Sequence, residues 1–229
     1  MLLLDKILKA GHVVQSPSYD PKCRQCARLA SHLIEVQRSH PDYFCAPVPA
    51  FGDKKPGLLI VGLAPGLHGA NRTGRPFTGD HAGILLYATL HKFGFANHAG
   101  SADCGDGLQL HDCRITNAVK CLPPANKPMP AEIKTCNAFL RNEIENSAAP
   151  AVLALGRIAH DAVLMALGMR PAMCPFGHGR QHLLQSGKRA FTLFDSYHCS
   201  RYNTQTRRLT TPMFEAVVLA AKCHLDALR

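Results

Sequence analysis

Long hydrophobic runs are missing from this sequence. No stretch approaches the roughly 18 consecutive apolar residues that a membrane-spanning helix requires. The N-terminus opens with three leucines, but Asp5 and Lys6 follow directly and no uninterrupted apolar region comes after them. Such a start is not typical of a secretory signal. We therefore expect a cytoplasmic protein without a membrane partner.

Negative charge is also scarce. Asp and Glu total 16 against 26 Lys and Arg, which gives a formal net charge of +10 and a pI near 9.3. This balance favours a polyanionic partner, nucleic acid first, although a merely basic soluble enzyme would carry the same charge. Hydrophobic residues make up 46% of the chain, enough to bury a substantial core. We interpret residues 1–229 as a single domain.

Ten cysteines stand out in a protein expected in a reducing compartment, where disulfides are rare and metal or redox roles gain weight. "CRQC" places Cys23 and Cys26 at a spacing that suits two thiolates on one metal centre, whereas a thioredoxin-type pair would follow a strand. Cys121 and Cys136 flank a Pro-rich segment. Four thiolates fit tetrahedral zinc or a cubane iron–sulfur cluster, and spacing does not separate these. Inert packing of free thiols is the alternative.

Strand-like and helix-like patterns alternate along most of the chain. Apolar runs rich in β-branched residues occupy residues 58–63, 114–119, 151–156 and 190–196, and helical patterns follow at 82–95, 131–147, 157–168 and 212–228. This alternation predicts an α/β fold with a mainly parallel four-stranded sheet and helices on both faces. We interpret residues 1–56 as an N-terminal extension packed on that domain, and residues 98–107 as a surface loop.

A Gly-, Pro- and Arg-rich loop follows the first predicted strand, "GLAPGLHGANRTGRPFTGD". It lacks the Lys-Ser/Thr ending of a phosphate-binding P-loop and contains no G-x-G, so both nucleotide fingerprints fail. Its glycines allow the backbone to approach a planar or anionic ligand closely. Phe77 is either an exposed stacking platform or a core residue. Asp80, just before a helical pattern, is either a functional carboxylate or only a helix N-cap.

The last predicted strand runs into a polar segment, "DSYHCSRYNTQTRRLT". Residue types that contact phosphates and stack on bases dominate it, although a solvated basic loop would have the same composition. Because ligands bind at the carboxyl ends of parallel strands, we expect this segment and the glycine-rich loop to border one site.

Together these motifs resemble the iron–sulfur uracil-DNA glycosylases, specifically the family 5 branch. The resemblance runs from Cys23 to the last helix and is most specific in the glycine-rich block, "TNAVKCLPPANKP", "FGHG" and the final polar segment. It implies a three-layer α/β/α sandwich around a short parallel sheet. It also implies a [4Fe–4S] cluster held by Cys23, Cys26, Cys121 and Cys136.

The resemblance assigns roles to further residues. Phe77 stacks on a flipped base, Asn117 reads its Watson–Crick edge and His198 hydrogen-bonds its oxygen. Asp80 orients water or stabilises the sugar cation. Gly62, Ala64 and Gly66 complete the base-binding set. Residues expected to contact DNA are Asn71, Arg72, Ser200, Arg201, Tyr202, Asn203, Arg207 and Arg208.

Three positions depart from the pattern of the family. Ala64 stands where other branches place an acidic or polar residue, Cys199 replaces a common Pro, and Arg207 sits where Gly is common. The last two lie in the loop that the resemblance expects to wedge into DNA.

The implied activity is hydrolysis of the N-glycosidic bond of uracil, and of other deaminated bases such as hypoxanthine, in double- and single-stranded DNA. No lysine is required as a Schiff-base nucleophile, so we expect a monofunctional, monomeric repair enzyme associated with the nucleoid. The alternative is a cluster-containing nucleic-acid-binding or electron-transfer protein without glycosylase activity. The presence of Ala64 favours the alternative, and the presence of Asp80 and His198 favours the enzyme.

Overall fold

The computed structural model describes residues 18–187 and 189–229. The leucine-rich start, for which we expect no secretory signal, lies outside the described residues. Within the described part, no helix is long and apolar enough to cross a membrane.

Six strands form one sheet, in the order β1-β3-β2-β4-β6-β5. Their bounds are β1 Phe51–Gly52, β2 Leu58–Gly62, β3 Cys113–Asn117, β4 Ala151–Leu155, β5 Gln181–Ser186 and β6 Arg189–Ser196. The four predicted strands, β2, β3, β4 and β6, are mutually parallel. The predicted strand count was wrong by two, because β1 and β5 pair antiparallel at the two edges. β1 has only two residues and β5 alternates with exposed polar positions, so neither carries a strong apolar signal.

Seven α-helices are described: α1 Ala27–Ser39, α2 Ala70–Thr73, α3 His81–Lys92, α4 Pro130–Ser147, α5 Arg157–Ala166, α6 Arg201–Gln205 and α7 Thr211–Asp226. The four helices predicted after strands are confirmed as α3, α4, α5 and α7. The short α2 and α6 form inside the two segments that the sequence presented as loops.

The helices cover both faces of the sheet. Because side chains alternate along a strand, Leu58 and Ile60 of β2 pack with α3 and α7 on one face. Leu59 and Val61 pack with α4 and α5 on the other face. The three-layer α/β/α sandwich is therefore confirmed.

The topology gathers the predicted site at one end of the sheet. β3, the next strand along the chain, pairs on one side of β2, and β4 pairs on the other side. The direction in which successive strands are added to the sheet therefore reverses at β2. Ligands bind outside the carboxyl ends of strands at such a switch point. Gly62 and Asn117, the last residues of β2 and β3, are register partners there.

Candidate active site and cysteine site

An open cavity of about 610 Å³ lies at the carboxyl ends of the parallel strands. The loop after β2, the end of β3, the Pro-rich segment after β3 and the segment after β6 all contribute to its walls. Its lining residues include Ala64, Gly66, Phe77, Asp80, Asn117, His198, Ser200, Arg201 and Tyr202. The structure thus brings together the side chains that the sequence predicted for base binding and catalysis.

The side chains of Asn117 and Phe77 pack directly against Gly62. A Cβ at Gly62 would lie 2.4 Å from Asn117 Oδ1 and 2.6 Å from Phe77 Cζ. Only glycine leaves room for this close approach. Asn117 is 3% exposed, and its Oδ1 has no hydrogen-bond partner among the described residues. A buried acceptor left unpaired costs free energy, so a ligand is the natural partner for it.

Phe77 combines the two roles that the sequence left open. It is 6% exposed and belongs to the core between the sheet, α3 and α7, yet it also lines the cavity. Its φ of 55° lies in the left-handed region that non-glycine residues rarely adopt. Such strain is concentrated at ligand sites, where the surroundings hold it in place. The ring of His198 lies 6.0 Å from the Phe77 ring, centroid to centroid.

His198 is neutral at physiological pH. Burial lowers the pKa of its imidazole to about 4, because a low-dielectric environment disfavours the charged form. Gly156 packs against it, since a Cβ there would lie 3.3 Å from His198 Cβ. The side chain of Asn203 donates a hydrogen bond to the His198 carbonyl oxygen at 2.8 Å and fixes the backbone. A neutral imidazole positioned in this way can donate one N–H to a ligand oxygen.

Asp80 caps α3 and also faces the cavity. Its Oδ1 accepts a hydrogen bond from Gly83 N at 2.8 Å, while its Oδ2 lies against Gly69, where a Cβ would come within 2.6 Å. Burial raises the pKa of the Asp80 carboxyl, and hydrogen bonds from the Gly83 and Ala82 backbones oppose that rise. The N-cap interpretation is therefore confirmed, and a second oxygen remains for the cavity.

The predicted DNA contacts divide into side chains that reach the surface and side chains that do not. Asn71 is fully buried and donates to Cys45 Sγ at 3.4 Å, so its prediction as a DNA contact is wrong. The Arg72 guanidinium folds back onto the His68 and Ala102 carbonyls. Composition alone does not reveal which polar side chains of a loop turn inward.

Most of the DNA-contacting residues predicted in the segment after β6 are exposed. Arg201, Arg207 and Arg208 are exposed, as is Tyr202 at 70%. Ser200 lines the cavity and also caps α6, where its side chain accepts from the Asn203 backbone N–H. Arg208 lies over the ring of Tyr197, with Cζ 4.8 Å from the ring centroid.

Sequence reasoning missed the network that fixes the glycine-rich loop. Arg75, only 5% exposed, forms an ion pair with Asp106 at 2.6 Å and hydrogen-bonds Ser101 at 3.0 Å. These partners belong to the 98–107 loop, so the Arg75 guanidinium ties that loop to the residues preceding Phe77. Arg75 and Asp106 are 31 residues apart, and no local sequence pattern predicts an ion pair at that separation.

The four predicted cysteine ligands meet beside the N-terminus of α1. Cys23, Cys26 and Cys121 pack around Cys136, Val119 and the apolar side chains near them. The pKa of Cys121 is raised to about 12, first by burial and then by its three cysteine neighbours, because thiolates repel one another. Four such groups ionise together only around a cationic centre.

The spacing of these sulfurs bears on which centre they fit. Within the described ranges, one group of three metal-binding side chains has all ligand atoms within 4.8 Å, and it is not made of these cysteines. Tetrahedral zinc at about 2.3 Å from each sulfur would bring the four sulfurs to within about 4 Å of one another. No three of the four cysteine sulfurs meet the 4.8 Å limit, so as placed they do not form a closed tetrahedral zinc site. The backbone N–H of Lys120 donates to Cys136 Sγ at 3.3 Å, an interaction that tunes iron–sulfur ligands.

The fold and the cavity define a class of proteins. The chain belongs to the Uracil DNA glycosylase superfamily, whose sequence profile matches residues 49–222. It is 46% identical over 209 residues to the type-5 uracil-DNA glycosylase of Thermus thermophilus, across 87% of this chain and 92% of that protein. It is 42% identical over 222 residues to the type-5 enzyme of Mycobacterium tuberculosis. A type-4 uracil-DNA glycosylase of Pyrobaculum aerophilum is 36% identical over 124 residues, 54% of this chain. The resemblance to the type-5 branch is thus confirmed.

Proposed function

We propose that this protein removes uracil from DNA by hydrolysing the N-glycosidic bond and leaves an abasic site. The observation that carries the proposal is the buried, unpaired Asn117 Oδ1 in a cavity shared with Phe77 and His198. The names of its type-5 relatives support the same activity.

Base recognition follows from donor and acceptor chemistry. The base is enclosed only after its nucleotide rotates out of the duplex, at a cost of a few kcal/mol. Phe77 then stacks on the base. The Asn117 amide is complementary to the edge of uracil, because its Oδ1 accepts from N3–H while its Nδ2 donates to O4. Cytosine presents an acceptor and a donor at these positions, so the same amide orientation rejects it.

Cleavage of the N-glycosidic bond separates charge, and the cavity has one side chain that stabilises the negative charge and one that stabilises the positive charge. Negative charge gathers on the leaving base, where the N–H of neutral His198 stabilises the oxygen. Removing one such donor typically costs about 2.7–4 kcal/mol of transition-state stabilisation. Positive charge gathers on the sugar, where Asp80 Oδ2 orients the attacking water or stabilises the cation. The oxygen of water forms the new bond to the sugar carbon and gives up a proton to Asp80, and the base departs with the electron pair of the broken N-glycosidic bond.

We further propose that Cys23, Cys26, Cys121 and Cys136 hold a [4Fe–4S] cluster. The four-thiolate donor set supports it, and no three of the four sulfurs lie within 4.8 Å of one another as closed tetrahedral zinc would require. Glu132 is the one acid between Cys121 and Cys136, and its carboxylate is held by Arg28 and the Met129 N–H. With no acid left to activate water there, the cluster stabilises the fold rather than reacting. The proposal also includes hypoxanthine as a second base, activity on single and double strands, and a monomer acting on nucleoid DNA.

An oligonucleotide assay tests the activity. A labelled strand with one uracil is incubated with the protein, treated with alkali and compared with a thymine strand. We expect scission at the uracil only after alkali, and no trapping by borohydride, because a monofunctional hydrolase forms no Schiff base. DNA binding without scission would favour the non-hydrolytic alternative. Scission without alkali would make the enzyme bifunctional, with Lys127 as the lysine that lines the cavity.

A further inference from the structure

The Pro-rich segment between β3 and α4 forms a wall of the cavity to which no role has been assigned. Ala125, Asn126 and Lys127 all line the cavity and are exposed. β3 and β6 lie on opposite sides of β2 in the sheet. This segment and the arginine-bearing segment after β6 therefore border the cavity from opposite sides.

The backbone of this wall is held in an uncommon shape. Ala125 and Asn126 are consecutive residues in the left-handed region, with φ of 53° and 56°. This region is sterically disfavoured for a residue with a Cβ, more strongly for Ala than for Asn. Strain of this kind persists only where the surroundings enforce it, and it clusters at ligand clamps. Here Asn126 N and Lys127 N bond back to the carbonyls of Pro123 and Pro124 at 3.0 and 3.1 Å.

A charged anchor holds the wall from outside. Arg28 of α1 donates from Nη2 to the Lys127 carbonyl oxygen at 3.2 Å. The same guanidinium makes two hydrogen bonds to Glu132, at 2.8 and 2.7 Å, and Glu132 accepts from Met129 N. The Lys127 carbonyl is thus fixed, and none of these hydrogen bonds involves the Lys127 side chain.

Lys127 carries a free charge at the cavity. Its ammonium has no ion pair or hydrogen bond with any residue in 18–187 or 189–229. Asp80 is the one carboxylate among the lining residues, and its Oδ1 is taken up by the cap of α3. The rim therefore presents Lys127 on one side and Arg201 on the other, with no acid to neutralise either.

We infer that Ala125–Lys127 is a second clamp on the DNA backbone, in which the Lys127 ammonium binds a phosphate on the side of the flipped nucleotide away from Arg201. The inference rests on the proposed function for its substrate. The left-handed pair keeps the clamp preformed, so that binding pays little to order it. The clamp is sequence-independent, because phosphate contacts position DNA without reading bases.

Salt dependence of binding tests the clamp. The protein as purified is titrated with a uracil-free duplex and with the same duplex carrying a tetrahydrofuran abasic analogue, from 50 to 200 mM salt. Loss of one phosphate contact should make the slope of log K against log salt shallower by about 0.9, so that Lys127→Ala loses about 3.5-fold less affinity than wild type across that range. Lys55→Ala is the matched control, since Lys55 is exposed at the opposite, amino end of β2. An unchanged slope in Lys127→Ala would overturn the inference.

A second pair of variants tests the preformed shape without changing charge. Ala125→Gly tolerates a positive φ, whereas the β-branched Ala125→Val does not. We expect Ala125→Val to bind both duplexes about tenfold more weakly than Ala125→Gly, and equal affinities would overturn the preformed clamp. Neither measurement requires base removal. If Lys127→Ala shows the shallower slope but the wild-type protein does not remove uracil, the proposed function alone is refuted. If the protein removes uracil normally but the Lys127→Ala slope is unchanged, the clamp alone is refuted.

Discussion

Asp80 Oδ1 accepts a hydrogen bond from Gly83 N at 2.8 Å, so the candidate catalytic carboxylate is also the N-cap of α3. The cap uses one oxygen and fixes the direction of the other. Oδ2 is held against Gly66 and Gly69, where added Cβ atoms would lie 3.8 and 2.6 Å from it. A helix terminus thus positions a reactive group at the cavity.

Substitution of Asp80 separates its two roles. Asn is as good an N-cap as Asp, so Asp80→Asn should leave the free energy of unfolding within about 0.5 kcal/mol of wild type. It should slow base removal by about 10²–10⁴, the usual contribution of a positioned acid–base group. Uracil and hypoxanthine should be affected by similar factors, because the sugar is common to both. Full activity of Asp80→Asn on both bases would leave the residue as a helix cap only.

The pH dependence of uracil removal should show an acid limb set by Asp80. Burial raises the pKa of this carboxyl above its ordinary value of 3.8, and the carboxylate is the active form. Single-turnover rates should therefore fall as pH drops through that raised pKa, while His198 stays neutral down to about 4. In Asp80→Asn the residual rate should lose this limb. A limb of the same midpoint in both proteins would assign the titration to another group.

Loss of one cysteine ligand should affect the fold before the chemistry. The purified protein should be brown, with iron and labile sulfide near four each per chain. Cys136→Ser should lose both and become less soluble and less stable, while its folded fraction retains base removal. Cys223→Ser is the control, since Cys223 is an exposed residue of α7. A colourless, fully active protein with stoichiometric zinc would contradict the cluster.

A buried His–Asp pair beside the site should make stability fall with rising pH. The His160 imidazole hydrogen-bonds Asp195 at 2.7 Å and the Cys174 carbonyl oxygen at 2.8 Å. Two oxygen acceptors favour an N–H on each ring nitrogen, which is the protonated form of the imidazole. Burial lowers the pKa of His160, but Asp195 outweighs burial and the net pKa is raised above 6.5.

Because the folded pKa is the higher one, this stabilisation is complete below about pH 6.5 and is lost as pH rises through the raised value. Urea unfolding between pH 5.5 and 9 should show the decline for wild type. His160→Gln should be less stable at low pH and should have a flatter profile. Parallel profiles for the two proteins would show that the pair does not titrate in this range.

Strand–helix alternation was sufficient to predict the parallel core, because its strands are buried on both faces and read as continuous apolar runs. The edge strand β5 was missed since it exposes polar side chains and even Leu183, which is 78% exposed. Its place in the sheet is decided by pairing with β6, which no local pattern encodes.

The site was predictable where function depends on a position at a strand end or a helix start, as for Asn117 and Asp80. It was not predictable where the direction of a side chain decides. Asn71 turns into the core toward Cys45, although its neighbours in sequence suit a DNA surface. Arg207 adopts a φ of 57°, a left-handed conformation that glycine takes without strain and that no local pattern predicts for an arginine.

Release of free uracil under single-turnover conditions measures base removal by this protein itself. A uracil-containing duplex is mixed with excess protein and the released base is measured by mass spectrometry, beside Asp80→Asn and the Lys55→Ala control. We expect one uracil per strand from wild type and Lys55→Ala, and release at least 100-fold slower from Asp80→Asn with binding retained. No free uracil from the wild-type protein, or equal rates from all three, would contradict this expectation.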